Sequence, residues 1–133
     1  MSRSVLFTFC ILSLFLANCN RTDVTPDERN KFTGRYDVDE ANYTLETSSV
    51  YRIEVRKNDE IHDEILIDNF FNTGVSVAAV VTGSRIIIPI QQISYYEIEG
   101  TGVLNGTELR ITYYVSNSLN SVVETLNAIC TRR

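Results

Sequence analysis

From Phe32 to the end of the chain, apolar and polar residues alternate with a period of two, and this alternation commits that part of the sequence to β-structure. Successive side chains of a strand point to opposite faces, so residues i, i+2 and i+4 share one face. Phe32, Gly34, Tyr36 and Val38 make the first such row. Tyr51, Ile53 and Val55 alternate with Arg52, Glu54 and Arg56, and Ile65 and Ile67 with Glu64, Leu66 and Asp68. Val75, Val77, Ala79 and Val81 share a face, as do Ile86, Ile88 and Ile90. Tyr96 and Ile98 oppose Tyr95, Glu97 and Glu99; Leu109, Ile111, Tyr113 and Val115 oppose Glu108, Arg110, Thr112 and Tyr114. A last run covers Thr125 to Arg132. Each row reads as a strand buried on one face.

Turn formers fall between the rows: Asn58-Asp59, Asn72-Thr73-Gly74, Thr82-Gly83-Ser84 and Asn105-Gly106. Asn105-Gly106 predicts a two-residue type I′ hairpin, which needs positive φ at both central positions. Asn117 to Glu124 reads as a loop or a short helical turn. The expected fold class is therefore all-β, with about eight antiparallel strands in a small meander barrel or a sandwich over residues 32–133. Eight strands can close a barrel around packed side chains or one small ligand. Pro89 belongs near a strand end or an unpaired edge, and Gly100 and Gly102 suggest a bulge or bend.

The first 18 residues have a different character. Arg3 precedes an apolar run from Val5 to Ala17, right for the core of a helical export signal and too short for the ~20 residues of a membrane-spanning helix. Its end, Leu16-Ala17-Asn18-Cys19, resembles the lipobox of bacterial lipoproteins. That resemblance implies a diacylglycerol on the Cys19 sulfur and cleavage ahead of it, with the lipid holding the protein on a membrane. Residues 1–18 are then a signal peptide, and residues 19–31, polar and interrupted by Pro26, a flexible tether. Cys10 leaves with the signal and Cys19 takes the lipid, so Cys130 has no partner for an intramolecular disulfide and reads as a buried, inert thiol.

Charge narrows the partners. The chain carries 12 basic and 17 acidic residues, a formal net charge of -5. An acidic balance argues against nucleic acid and against electrostatic docking on anionic lipid.

The order of elements resembles the small lipoproteins of Bacteroidetes type that carry a lipocalin-like β-barrel. The resemblance rests on Phe32-Thr33-Gly34-Arg35-Tyr36, on Ile86-Ile87-Ile88-Pro89 followed by Gln91-Gln92, on Gly100-Thr101-Gly102 and Asn105-Gly106-Thr107-Glu108-Leu109, on Ile111-Thr112-Tyr113-Tyr114, and on the terminal Cys130. Tyr36 stands where lipocalins carry the Trp of a Gly-x-Trp motif. The resemblance implies a barrel in the cell envelope and no catalytic residues. Asn20-Arg21-Thr22-Asp23 lacks the acidic run that resembles a surface-export signal, which points to the outer membrane, facing the periplasm.

Few residues suggest chemistry. Asn58 to Glu64 is the densest polar cluster and reads as a cation loop or, more simply, a solvated hairpin end; it lacks the Gly and spacing of an EF-hand. His62 is the single His, and no nucleophile accompanies it in a recognisable motif. Glu97 and Glu99 share a strand face about 6–7 Å apart, a spacing compatible with a carboxylate pair of glycoside hydrolysis but also common on solvated strands. Tyr95 and Tyr114 are expected to face outward as a contact for a partner, against the alternative of ordinary cross-strand packing. These residues predict no catalytic site, no metal and no cofactor. The expected function is a non-enzymatic binding domain for a small apolar ligand or an envelope partner; a structural subunit of an envelope complex is the alternative.

Overall fold

A computed structural model describes residues 24–133. Eight strands follow a short 3-10 helix, Glu28–Lys31: β1 Gly34–Asn42, β2 Thr47–Lys57, β3 Glu64–Phe70, β4 Val75–Thr82, β5 Arg85–Ile93, β6 Tyr96–Asn105, β7 Glu108–Asn117 and β8 Val123–Arg132. Each pairs antiparallel with its neighbours in sequence, and β1 pairs with β8 from Tyr36↔Arg132 to Asn42↔Leu126. The result is a closed meander barrel, which decides against the sandwich. Closure gives both sides of every strand a partner and removes the exposed edges of an open sheet.

The inward rows follow the alternation except on β3 and β5, and they form one core from Tyr36 and Val38 on β1 round to Leu126, Ala128 and Cys130 on β8. Ile90, expected on the face of Ile86 and Ile88, is 65% exposed because β5 shifts register just before Gln91. β3 departs from strict alternation. Its register shifts between Ile67 and Phe70, where Asn69 takes a positive φ of 61°. The extra residue turns Phe70 inward, three positions after Ile67, which a period of two does not foresee.

The β6–β7 turn also differs from expectation. The Asn105↔Glu108 pair closes the β6–β7 hairpin, so its loop is Gly106-Thr107, one residue later than predicted. Positive φ falls on Gly106 alone, at 62°. Gly83-Ser84 repeats the arrangement, with Thr82↔Arg85 paired and Gly83 at φ 60°. Glycine at the first central position is the signature of a type II′ turn rather than type I′.

The expected bulge at Gly100 and Gly102 lies instead on the facing strand. β6 pairs regularly with β7 through both glycines, while β5 shifts register between Ile88 and Gln91. Pro89 sits in this shift, just past Ile87, the last β5 residue on that side to pair with β4. The prolyl nitrogen, with no N–H, thus lies where no ladder bond is required. The Gln91 side chain bridges the gap: its Oε1 accepts from Ala78 N at 3.0 Å and its Nε2 donates to Ala78 O at 2.9 Å, as a strand backbone would.

One end of the barrel is sealed. Phe32, fully buried, caps the 3-10 helix, and its carbonyl accepts from Tyr36 Oη at 2.8 Å. The Arg132 guanidinium lies 5.3 Å from the centre of the Tyr36 ring and donates to Tyr36 Oη at 2.7 Å and to the carbonyl of Lys31. Gly34, at φ 140°, lets the chain turn from this plug into β1.

The helix lies within residues 19–31, read from sequence as a flexible tether, and it packs against the barrel. Arg29 is buried, with Nη1 donating to Asn58 O at 2.9 Å and to Ile61 O and Glu64 O at 3.3 Å each. Its Nη2 pairs with Asp27 at 2.9 Å, and Lys57 joins that carboxylate at 3.0 Å. The Arg29 guanidinium, followed by Lys57, holds the Asp27 carboxyl well below the usual carboxylate range. Asp27 and the helix are therefore tied to the β2–β3 end of the barrel. Arg29→Ala is expected to lower the urea midpoint measurably and to loosen the β2–β3 loop in hydrogen exchange. Arg29→Lys should recover less than half of the loss, because one ammonium cannot reproduce the fork that reaches three carbonyls and a carboxylate.

Candidate functional site: the open mouth of the barrel

The end opposite the plug is open. It is framed by residues 43–46, 71–74, 94–95 and 118–122, and Tyr43, Leu45, Tyr95 and Leu119 are exposed there. Below it the barrel is full: Ile86, Ile88, Ile111 and Tyr113 are each 1% exposed or less. What remains is a cavity of about 270 Å³ in the mouth, lined by β1, β2 and β8 and by Phe71.

The floor of this cavity is polar. The inward row of β1 continues past Val38 to Glu40 and Asn42, so a carboxylate enters the barrel in phase with the core. Glu40 is only 3% exposed. Its Oε2 accepts hydrogen bonds from Tyr51 Oη at 2.5 Å and from Tyr113 Oη. Burial, then the bond to Glu40, pushes the Tyr51 hydroxyl above the usual tyrosine range, and burial, then the Tyr51 and Glu40 groups, does the same for Tyr113. Both remain neutral donors throughout the physiological range. No ion pair to Glu40 exists among the described residues.

Asn42 organises the rim. Its Oδ1 accepts from the backbone N–H groups of Thr44 and Leu45, at 3.0 Å each, which fixes the β1–β2 turn. This orientation turns its Nδ2 toward Glu124, 2.7 Å away on β8. On the far side, Phe71 and Asn72 hold positive φ values of 56° and 53°. This is an uncommon conformation for a bulky residue, and it carries the Phe71 ring edge-on to Tyr96 at 5.8 Å and Tyr113 at 6.2 Å.

The residues singled out from sequence are dispersed. Tyr95 is 59% exposed in the β5–β6 turn at the mouth; Tyr114 is 45% exposed on the outer wall of β7, opposite Glu99. Tyr95 O accepts from Ser118 N, so about four residues of strand, roughly 13 Å, separate the two tyrosines. They do not form one surface. Glu97 and Glu99 are exposed on the outer wall. The Asn58–Glu64 loop and exposed His62 lie at the plugged end, where Arg29 occupies the loop carbonyls. No group of three or more His, Cys, Asp or Glu able to hold a metal occurs among the described residues. Cys130 is fully buried, and burial, with a smaller contribution from Glu40, pushes its thiol up to about 12. Cys19 and the expected signal peptide lie outside the described residues.

Sequence reasoning missed Glu40, although the signal was present: Tyr36, Val38, Glu40 and Asn42 keep one phase, and a polar residue on a buried row is the informative exception.

Fold and mouth together define an eight-stranded closed meander barrel with a packed interior and a polar cavity at one end. Among solved structures, it is similar to a redesigned beta barrel, with a TM-score of 0.55 at 12% identity over 80% of this chain and 96% of the other. A protein of unknown function from the DUF3598 family of Nostoc punctiforme PCC 73102 aligns with a TM-score of 0.47 at 11% identity over 78% of this chain, which spans about half (48%) of that protein. The first likeness establishes the fold alone. No protein-family model matches the sequence, and no curated protein matches it.

Proposed function

We propose that this protein is a lipoprotein of the bacterial cell envelope, lipidated on Cys19, whose barrel is a non-enzymatic binding domain. The carrying observation is polarity along the barrel axis. The chain arrives from Cys19 at the plugged end through Val24–Lys31, and the one open end lies opposite. A lipid on Cys19 would seat the plug toward the bilayer and turn the mouth away from it, on the periplasmic side of the outer membrane. Among the described residues no helix is long and apolar enough to cross a membrane, so the anchor in this reading is the lipid.

The filled interior bears on where binding occurs. A small apolar ligand has no room beside Ile88, Ile111 and Tyr113, so the mouth and its rim are the binding surface, whether for a small molecule or an envelope partner. The second reading, a structural subunit of an envelope complex, draws support from the outer wall. Ile87, Ile90 and Tyr114 are exposed there beside a shallow groove.

Metabolic labelling with palmitate in a bacterial host tests the anchor. The wild-type chain is expected to take up label and sediment with membranes, and Cys19→Ser to take up no label. An unlabelled wild-type chain, or a Cys19→Ser chain that still takes up label, would overturn the lipoprotein assignment.

A further inference from the structure

We propose that the mouth cavity binds a small organic ammonium compound, with Glu40 as its counter-ion. This rests on the reading of the barrel as a binding domain, though not on the lipid anchor. Glu40 is nine-tenths buried, yet no cation among the described residues pairs with it. Both tyrosine hydroxyls bond to Oε2, and Oε1 has no hydrogen-bond partner among the described residues. Glu40 borders the cavity, and its unused Oε1 is not fully enclosed by protein, so it is available to a ligand there. A buried carboxylate without a counter-ion is costly even with two hydroxyl donors, and hydrophobic residues of similar volume often stabilise such a site more. An incoming cation removes that cost.

The surroundings specify which cation. Glu124 adds a second carboxylate at the rim, held by Asn42, and no Lys, Arg or His lines the cavity. Anions are therefore repelled. Ser49, paired with Glu40 across the β1–β2 ladder, supplies a neutral hydroxyl on the inner face. A primary ammonium offers three donors, which suits Glu40 Oε1, a serine hydroxyl and Glu124 in turn. Calcium takes six to eight oxygens, more than two carboxylates and a few hydroxyls readily supply. Leu45, Phe71 and Leu126 form the rest of the wall. They suit a short alkyl or aryl tail, and a ring face within about 6 Å of a cation adds attraction. The volume lies just under the ~300–1,000 Å³ of drug-sized sites, so the ligand is small.

The full chain in neutral detergent is titrated by calorimetry with butylammonium and phenethylammonium chlorides, with butanol, butyrate and calcium chloride as comparisons. Near-UV circular dichroism reads the tyrosines. Saturable binding of the ammonium compounds is expected, with a change in the tyrosine signal and no binding of butanol or butyrate. Glu40→Gln, close in shape and able to accept from both tyrosines, should remain folded and lose at least tenfold in affinity. Glu124→Gln, at the rim and independent of the core, should lose a smaller factor. Equal ammonium binding by wild type and Glu40→Gln would overturn the proposal, as would calcium binding in place of the amines. Butanol or butyrate binding in the mouth, indifferent to Glu40, would overturn the ammonium assignment and leave the binding-domain reading standing. Failure of every probe to bind would overturn the ammonium assignment and count against a small-molecule site.

Discussion

Tyr113→Ala is expected to cost about 3–5 kcal/mol of unfolding free energy, the range for removing a large buried aromatic side chain. Tyr113 is fully buried on β7, packs against Phe70 at 4.6 Å and Phe71 at 6.2 Å, and donates its hydroxyl to Glu40. Truncation opens a void between the packed interior and the mouth and leaves Glu40 with one donor instead of two. Tyr113→Phe separates the contributions. It keeps the ring and removes the hydroxyl, so about 1–3 kcal/mol should be lost. Urea unfolding followed by far-UV circular dichroism measures both. A loss below about 1 kcal/mol for the alanine variant would show that the ring does not hold the two layers together. The Glu40→Gln background provides a cycle: with the carboxylate gone, Tyr113→Phe should cost less than in wild type.

Gly100→Ala is expected to destabilise the barrel by about 3 kcal/mol, the upper end of the range for overpacking. A Cβ at position 100 would meet Tyr113 Cβ at 2.5 Å and Thr112 O at 2.6 Å. Neither atom can swing aside, because one is attached directly to the β7 backbone and the other belongs to it. Shortening Tyr113 to Ala retains its Cβ and should give no rescue. Gly102→Ala behaves differently. Its Cβ would meet Ile86 Cγ1 at 2.8 Å and Cδ1 at 3.0 Å, both side-chain atoms, so Ile86→Ala should recover part of the loss. Thermal unfolding of the four single and two double variants distinguishes the cases. Rescue of Gly100→Ala by Tyr113→Ala would place the conflict in the aromatic ring instead of the β7 backbone. The two glycines explain why large residues fit opposite them: β6 comes close to β7 and to the Ile86 side chain because nothing projects inward at positions 100 and 102.

The stability experiments and the ligand experiment probe opposite demands on the mouth. Tyr113 serves the core through its ring and Glu40 through its hydroxyl. Glu40 itself contributes a charge that packing alone does not call for. A residue that burdens stability while bordering a cavity is a strong candidate for function, because binding sites retain groups that a purely structural core would replace.

Local pattern carried most of the architecture. Eight alternating rows became eight strands, and turn formers marked the loops, because strand periodicity and turn chemistry are properties of a few adjacent residues. Closure was not legible, since a barrel and a sandwich share the same alternation and differ only in whether β1 meets β8. The loop at Gly106 moved by one residue because the pairing Asn105↔Glu108, set across two strands, chose the turn type. Arg29 lay in a polar stretch that composition assigns to a tether; its burial depends on three carbonyls of the β2–β3 loop, about thirty residues away. Glu40 kept the phase of the buried row, so its inward direction was present in the sequence. Its partners Tyr51 and Tyr113 came together only when the barrel closed and brought β2 and β7 to either side of β1 and β8. Alternation along the chain was enough to assign the face of most residues, because the backbone reverses at every step, and it failed at Phe70 and Ile90, beyond the two register shifts. Tertiary structure alone decided which residues meet across the interior, because that depends on register and closure summed around all eight strands.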